Sequence, residues 1–286
     1  MIIRRHFLAL PALLAAAPSC ARGPDGAPGT QPTASAAQPL RIGPEGLAQG
    51  GLALGQATPG SRITLDGKPV QVSPDGRFVL GFSRDAAPVA RLAVTTPGRG
   101  TEQRDLAIAQ REWDVQRLNG LPAAMVSPNA RQLERINAER KRIAATRAVD
   151  SDLPYFTEPF IRPAPGRISG VYGSQRILNG EPRAPHLGLD IAAPTGTPAL
   201  AMGSVRVLLA ADLYFTGNTI ILDHGHGVTT LYAHLSAINV AEGQSVRQGQ
   251  RIGATGATGR VTGPHLHLGV NWLTTALDPG PLLPAA

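Results

Sequence analysis

The sequence predicts a mainly β protein: a small β-sandwich, then a connecting helix, then a C-terminal antiparallel sheet folded towards a barrel. Three observations carry that prediction. Aromatic residues make up only 4% of the 286 residues, while Gly and Pro number 33 and 26, a balance that suits short strands and frequent turns. Alternation of apolar and polar residues, cut by Asp-Gly and Gly-rich turns, recurs in two separate regions. Helical periodicity is confined to one stretch, 127–149.

The first 21 residues, MIIRRHFLALPALLAAAPSCA, read as an export signal. They have a charged start, an apolar run from Phe7 to Ala17, and small residues after it; the run is too short to span a bilayer. Arg4 and Arg5 ahead of His6-Phe7-Leu8 resemble the twin-arginine export motif. Cys20 is the only cysteine, so no internal disulfide can form. It stands where a lipoprotein carries its acylated cysteine, without the usual leucine three residues earlier. Cleavage after Ala21 would discard it and release a soluble exported protein. Residues 22–38, RGPDGAPGTQPTASAAQ, lack large apolar side chains and read as a flexible tether.

Residues 39–120 read as a small sandwich of immunoglobulin-like size. RITLDGKPVQVSPDGRFVLGF alternates, and Asp66-Gly67 and Asp75-Gly76 are hairpin turn pairs. This region has no His or Cys and is assigned no chemistry. Residues 121–160 form a helical linker. Ser127 is the expected N-cap, with Pro128 in the first turn and Leu133, Ile136 and Ile143 on one side. The basic side chains of this helix are expected on a solvated face. From 161 to 286 short β segments return, separated by Gly turns.

The formal net charge of +7 suits an anionic partner, but no nucleic-acid-binding signature is present and aromatics are too few for a stacking platform. A monomer is expected.

Apart from His6, every histidine lies at or beyond residue 186: His186, His224, His226, His234, His265 and His267. That confinement points to a site in the C-terminal region. In HLGLD, His186 and Asp190 would lie about 13 Å apart on a straight strand, so sharing one ion requires the chain to curl, which Gly188 permits. In HLH, His265 and His267 face the same side of a strand, and Leu266 and Leu268 face the core. One imidazole can ligate while the other stands beside the metal. In LDHGHG, the interleaved glycines favour a turn for His224 and His226, with His224 bonding locally. In LYAHL, His234 ends a strand in alternation with Tyr232. The run GATGATGRVTG lacks the Lys-Ser/Thr ending of a phosphate loop and reads as tight backbone leading into HLH.

HLGLD, YAHL, VRQGQRIGATGATGRVTGPHLHLG and LDPGPLL, in that order over roughly 165–283, resemble the lysostaphin-type (LytM-like) zinc metalloendopeptidases, which cut peptidoglycan peptides. The resemblance implies one Zn2+ held by His186, Asp190 and His267, with His265 and His234 catalytic. It also implies peptidoglycan as partner and a periplasmic or cell-envelope location, with a membrane attachment only if Cys20 is lipidated. Gly269 departs from many relatives, which carry Glu there. In the implied chemistry a histidine base activates water for peptide hydrolysis. His265 is the base and His234 serves the oxyanion or the water, or the two exchange roles. Two other readings are a catalytically silent wall-binding or amidase-activating relative and an exported metallopeptidase that degrades proteins.

Overall fold

A computed structural model describes residues 40–119 and 128–285. The expected export signal at 1–21, the tether at 22–38 and the Ser127 cap lie outside the described residues. Among the described residues no helix is long and apolar enough to cross a membrane.

The first seven strands are β1 (Arg41–Ile42), β2 (Leu52–Gln56), β3 (Arg62–Leu65), β4 (Lys68–Val70), β5 (Arg77–Gly81), β6 (Val89–Thr96) and β7 (Gly100–Ala107). They form a three-stranded sheet, order β1-β2-β5, and a four-stranded sheet, order β4-β3-β6-β7. Ala53, Phe78 and Leu80 from the first share one core with Ile63, Leu65, Leu92, Val94 and Leu106 from the second, so the two sheets pack as a sandwich. Asp66 and Gly67 both have positive φ (50° and 77°) and close the β3–β4 hairpin, as a two-residue type I′ turn requires. Asp75-Gly76 turns the chain but closes no hairpin, contrary to expectation. The segment crosses between sheets there, since β4 pairs with β3 while β5 pairs with β2. Strand β5 is buried on both faces: Val79 points away from the sandwich core and packs with Phe156 and Val228.

Beyond the sandwich, β8 (Val115–Leu118) follows an extended connector. Helix α1 (Ala130–Arg147) is capped by Asn129, whose side chain accepts from the Gln132 amide while Gln132 reaches back to the Asn129 amide. The cap therefore lies two residues beyond the expected Ser127, because Asn129 and Gln132 together satisfy two orphan amides. Ile136 is buried and Ile143 packs on Leu209, Leu213, Ile221, Leu231 and Ala233, but Leu133 stays exposed. Arg135 and Arg142 reach Asp212 and Glu242 at 3.1 Å, exposed pairs of small energetic weight.

The C-terminal region contains β9 (Arg167–Gly170), β10 (Gln175–Leu178), β11 (Glu181–Pro182), β12 (Leu189–Ala192), β13 (Pro198–Leu200), β14 (Val205–Leu213) and β15 (Gly217–Gly225). It continues with β16 (Val228–Leu235), β17 (Ala237–Ile238), β18 (Ser245–Val246), β19 (Arg251–Ala254), β20 (His265–Trp272) and β21 (Thr275–Leu277). One antiparallel sheet runs β18-β14-β15-β16-β20-β12-β9, with β21 on β20; it has two edges and does not close into a barrel. A smaller sheet, β13-β19-β17, lies over one face. Between them sits the core of Leu189, Ile191, Met202, Ile220, Leu222, Tyr232, Ile252, Leu266 and Leu268. The buried Tyr232 hydroxyl accepts from the Met202 amide at 2.9 Å, which ties the layers together. The β10–β11 hairpin gains a parallel neighbour in β8.

Candidate metal centre

Strands β12, β20 and β16 are neighbours at the middle of the large sheet, and the face they turn away from the core carries the site. Asp190 and Ala233 both stand opposite His267, and Ala192 stands opposite His265. The period of two then sorts β20 cleanly: Leu266 and Leu268 are fully buried in the core, while His265 and His267 share the other face.

His186 Nε2 lies 3.1 Å from Asp190 Oδ1 and 3.0 Å from His267 Nδ1, and His267 Nδ1 lies 2.8 Å from the same carboxylate oxygen. Among the described residues this is the one group of three metal-donor side chains that converges. His186 precedes β12, and the chain bends at Gly188 so that its ring returns to Asp190. Gly188 meets a second need that its neighbours in sequence do not disclose. A Cβ there would lie 2.5 Å from His267 Cε1, so the ring occupies the space a side chain would take. Gly170 does the same for Asp190, since its Cβ would lie 2.3 Å from Oδ2.

Burial alone would raise the Asp190 pKa, but the His186 and His267 imidazoles against its carboxylate hold it well below the usual carboxylate range. Burial lowers the His267 pKa, with Asp190 opposing. Arg176, on β10, places a guanidinium nitrogen 3.7 Å from Asp190 Oδ2.

Strict alternation would put His234 on the core side with Tyr232. The structure puts it on the other side. The β15–β16 register shifts between Asn218 and Ile220, and His234 adopts φ +62°. This bulge re-aims the ring, which sits 4.9 Å from the His265 ring and 6.0 Å from that of His267, centroid to centroid. Burial pushes the His234 pKa down to about 3, so the ring is neutral at pH 7.

Three rings share one anchoring device. His186 Nδ1 bonds the Val171 carbonyl at 3.0 Å, His234 Nδ1 that of Thr258 at 2.8 Å, and His265 Nδ1 that of Gly263 at 2.8 Å. A carbonyl only accepts, so in each ring Nδ1 carries the proton and Nε2 is left as an acceptor or ligand. His265 Nε2 lies 3.8 Å from Asp190 Oδ1.

The second histidine pair is elsewhere. His224 belongs to β15 rather than to a turn and is completely buried, with Nε2 3.0 Å from Thr230 Oγ1 across the hairpin. Only His226-Gly227 forms the turn, both at positive φ, as is Gly225 at the end of β15. His226 is itself buried and stacks on Phe156 at 4.1 Å between centroids. Sequence reasoning did not single out Gly170, Arg176, or the carbonyls of Val171, Thr258 and Gly263. None of them belongs to a histidine or carboxylate pattern.

Two imidazole nitrogens and one carboxylate oxygen, with Asp190 and His267 on one sheet face and His186 just ahead of it, form a donor set of the kind that holds a divalent metal. Residues 184–279 match Peptidase family M23, and the C-terminal part of this chain is an M23 peptidase domain. Over 102 residues the chain is 46% identical to the peptidoglycan DD-endopeptidase ShyA of Vibrio cholerae, covering 35% of this chain and 24% of that protein. It is 50% identical over 82 residues to the DD-carboxypeptidase/endopeptidase Mpg of Neisseria meningitidis, covering 29% and 19%. The chain thus spans about a quarter or less of the length of these curated relatives. The crystal structure of a putative peptidase M23 from Pseudomonas aeruginosa superposes with a TM-score of 0.64 at 29% identity, covering 82% of this chain and 94% of that one.

Proposed function

We propose that this chain is an exported zinc metalloendopeptidase that hydrolyses peptide bonds of bacterial peptidoglycan. The observation that carries the reading is the convergence of His186 Nε2, Asp190 Oδ1 and His267 Nδ1 beside His265 and His234. The donors fit zinc. Three protein ligands of N, N and O type leave a coordination position open, the pattern of catalytic rather than structural sites. The Val171 carbonyl fixes the His186 tautomer that frees Nε2, as orienting partners of metal-bound histidines do. Zinc, when bound, supplies acidified water near neutral pH and polarises a scissile carbonyl.

The chain's own groups account for the proton. His265 Nε2 is an acceptor in the neutral ring, so His265 takes a proton from the attacking water. The imidazolium that results lies beside the Asp190 carboxylate, 3.8 Å away, which stabilises it. It can then return the proton to the leaving amine. His234 Nε2 is also an acceptor, which suits it to orienting the water. Once protonated, His265 can donate to the developing oxyanion.

Peptidoglycan as substrate, and with it a periplasmic or cell-envelope location, is supported by the named activities of ShyA and Mpg and by the export signal expected at 1–21. The test is digestion of purified sacculi beside casein, with mass spectrometry of the released muropeptides. Zinc-dependent release of muropeptides cut within their peptides is expected. A folded, zinc-loaded protein that releases nothing would favour a wall-binding role. Cleavage of casein but not sacculi would favour a protein substrate.

A further inference from the structure

The sandwich contains no histidine or cysteine, yet its chain is tied to the backbone that aims His186. That backbone is the four-residue loop 171–174 between β9 and β10. The loop holds His186 on three sides. His186 Nδ1 bonds the Val171 carbonyl at 3.0 Å, the His186 amide donates to the Ser174 carbonyl at 2.8 Å, and the His186 carbonyl accepts from the Gly173 amide at 2.7 Å. The Ser174 hydroxyl donates to Val171 O at 3.1 Å and closes the loop on itself.

The groups holding the loop from outside come largely from the sandwich and its connector. Arg84, just beyond β5, donates from Nε to the Gly173 carbonyl at 2.7 Å. Trp113, on the connector before β8, lies directly on Gly173: a Cβ there would sit 1.9 Å from Trp113 Cε3, and Gly173 has φ +87°. The Trp113 ring meets the edge of buried Tyr172 at 5.7 Å and 73°. The guanidiniums of Arg84 and Arg111 lie 5.1 and 4.5 Å from the indole centroid. Arg111 is in turn fixed to Asp278 at 2.8 Å. The Asp114 carbonyl accepts from the Gln175 amide at 2.7 Å, which continues the seam into the β8–β10 pairing. Only a glycine with positive φ lets an indole lie this close to the loop backbone.

We propose that Arg84 and Trp113 are positioning residues for the metal site: they clamp loop 171–174 and thereby fix the ring orientation of His186. The sandwich and its connector thus complete the support of a ligand carried by the C-terminal domain. The inference rests on the proposed role of His186 as a zinc ligand.

The test uses the full chain with Arg84→Gln, Trp113→Ala and Trp113→Phe, and a control, Leu92→Ala, that opens the sandwich core away from the clamp. Zinc affinity is measured by chelator competition, the visible spectrum of the cobalt(II) form reports ligand geometry, and urea unfolding of the metal-free protein reports stability. Arg84→Gln and Trp113→Ala are expected to weaken zinc binding about 10-fold or more, the scale for groups that orient metal ligands, and to alter the cobalt spectrum. Trp113→Phe should recover most of the affinity, and Leu92→Ala should lose stability with zinc affinity unchanged. Should Trp113→Ala not fold, Arg84→Gln and Trp113→Phe carry the test. Unchanged affinity and spectrum in Arg84→Gln would overturn the inference, as would an equal loss in Leu92→Ala. A parent protein that binds no zinc would overturn the proposed function itself, and this inference with it.

Discussion

Gly188→Ala adds a single methyl group where the site has no room for one. The new Cβ would lie 2.5 Å from His267 Cε1, 2.7 Å from His267 Nε2 and 2.6 Å from the Leu268 carbonyl oxygen. Relaxed carbon contacts are about 3.5–4.0 Å, so the ring would have to retreat by about 1 Å. Leu268 O cannot yield easily, because it belongs to the central strand β20. Overpacking of this kind costs about 1–3 kcal/mol. At about 2–4 °C per kcal/mol for a domain of this size, the metal-free protein should melt roughly 2–12 °C lower. A ligand displaced by that distance should also weaken zinc binding by about 10–100-fold. Thermal unfolding of the chelated protein and chelator competition for zinc read the two effects separately. Gly263→Ala is the control, because nothing lies within 4 Å of its Cβ and its φ is ordinary; both values should stay at the parent level. A Gly188→Ala protein with parental melting temperature and zinc affinity would refute the packing argument.

Acid should destabilise the fold through His224, which burial keeps neutral with its pKa pushed down to about 3 against an ordinary 6.5. Above about pH 6.5 neither the folded nor the unfolded state is protonated and nothing is lost. Between about 6.5 and 3 only the unfolded state binds the proton, so stability falls with pH by up to about 1.4 kcal/mol per unit, about 2 kcal/mol in all from pH 7 to 5. Urea midpoints over that range should show this slope, and His224→Gln should remove about one proton's worth; an unchanged slope would count against it. His226→Ala should leave zinc affinity untouched but lose about 0.5–1.5 kcal/mol from its stacking on Phe156, read by the same unfolding assay. Loss of metal in that variant would contradict the placement of His226 outside the site.

The sequence shows one half of the metal centre and conceals the other. His265 and His267 were assignable to one face because a regular strand has a period of two, and Leu266 and Leu268 mark the opposite face. The curl that joins His186 to Asp190 was legible through Gly188, although the His267 ring that also requires this glycine is 79 residues away. The turn of His234 towards the site was not legible. It depends on a register shift against β15; the resemblance implies His234 as a site residue, but its pattern alone reads as an unremarkable surface histidine at a strand end. Gly170 and Arg176 were equally silent, because what they do is set by where Asp190 lands in three dimensions. In the sandwich, alternation sufficed for the strands, but Asp75-Gly76 has the residues of a hairpin turn at a point where the chain changes sheets. The stretch 111–118 reads in sequence as a continuation of the sandwich's alternation, yet it leaves the sandwich: β8 pairs with β10, and the contacts of Trp113 with loop 171–174 emerge only on folding.

The most direct measurement is zinc content and turnover of His267→Ala and His265→Ala, purified side by side. The account predicts that His267→Ala loses both zinc and activity. It predicts that His265→Ala keeps its zinc and loses about 10²–10⁴-fold in turnover, the usual scale for a general base. Loss of zinc from His265→Ala, with zinc retained by His267→Ala, would contradict it.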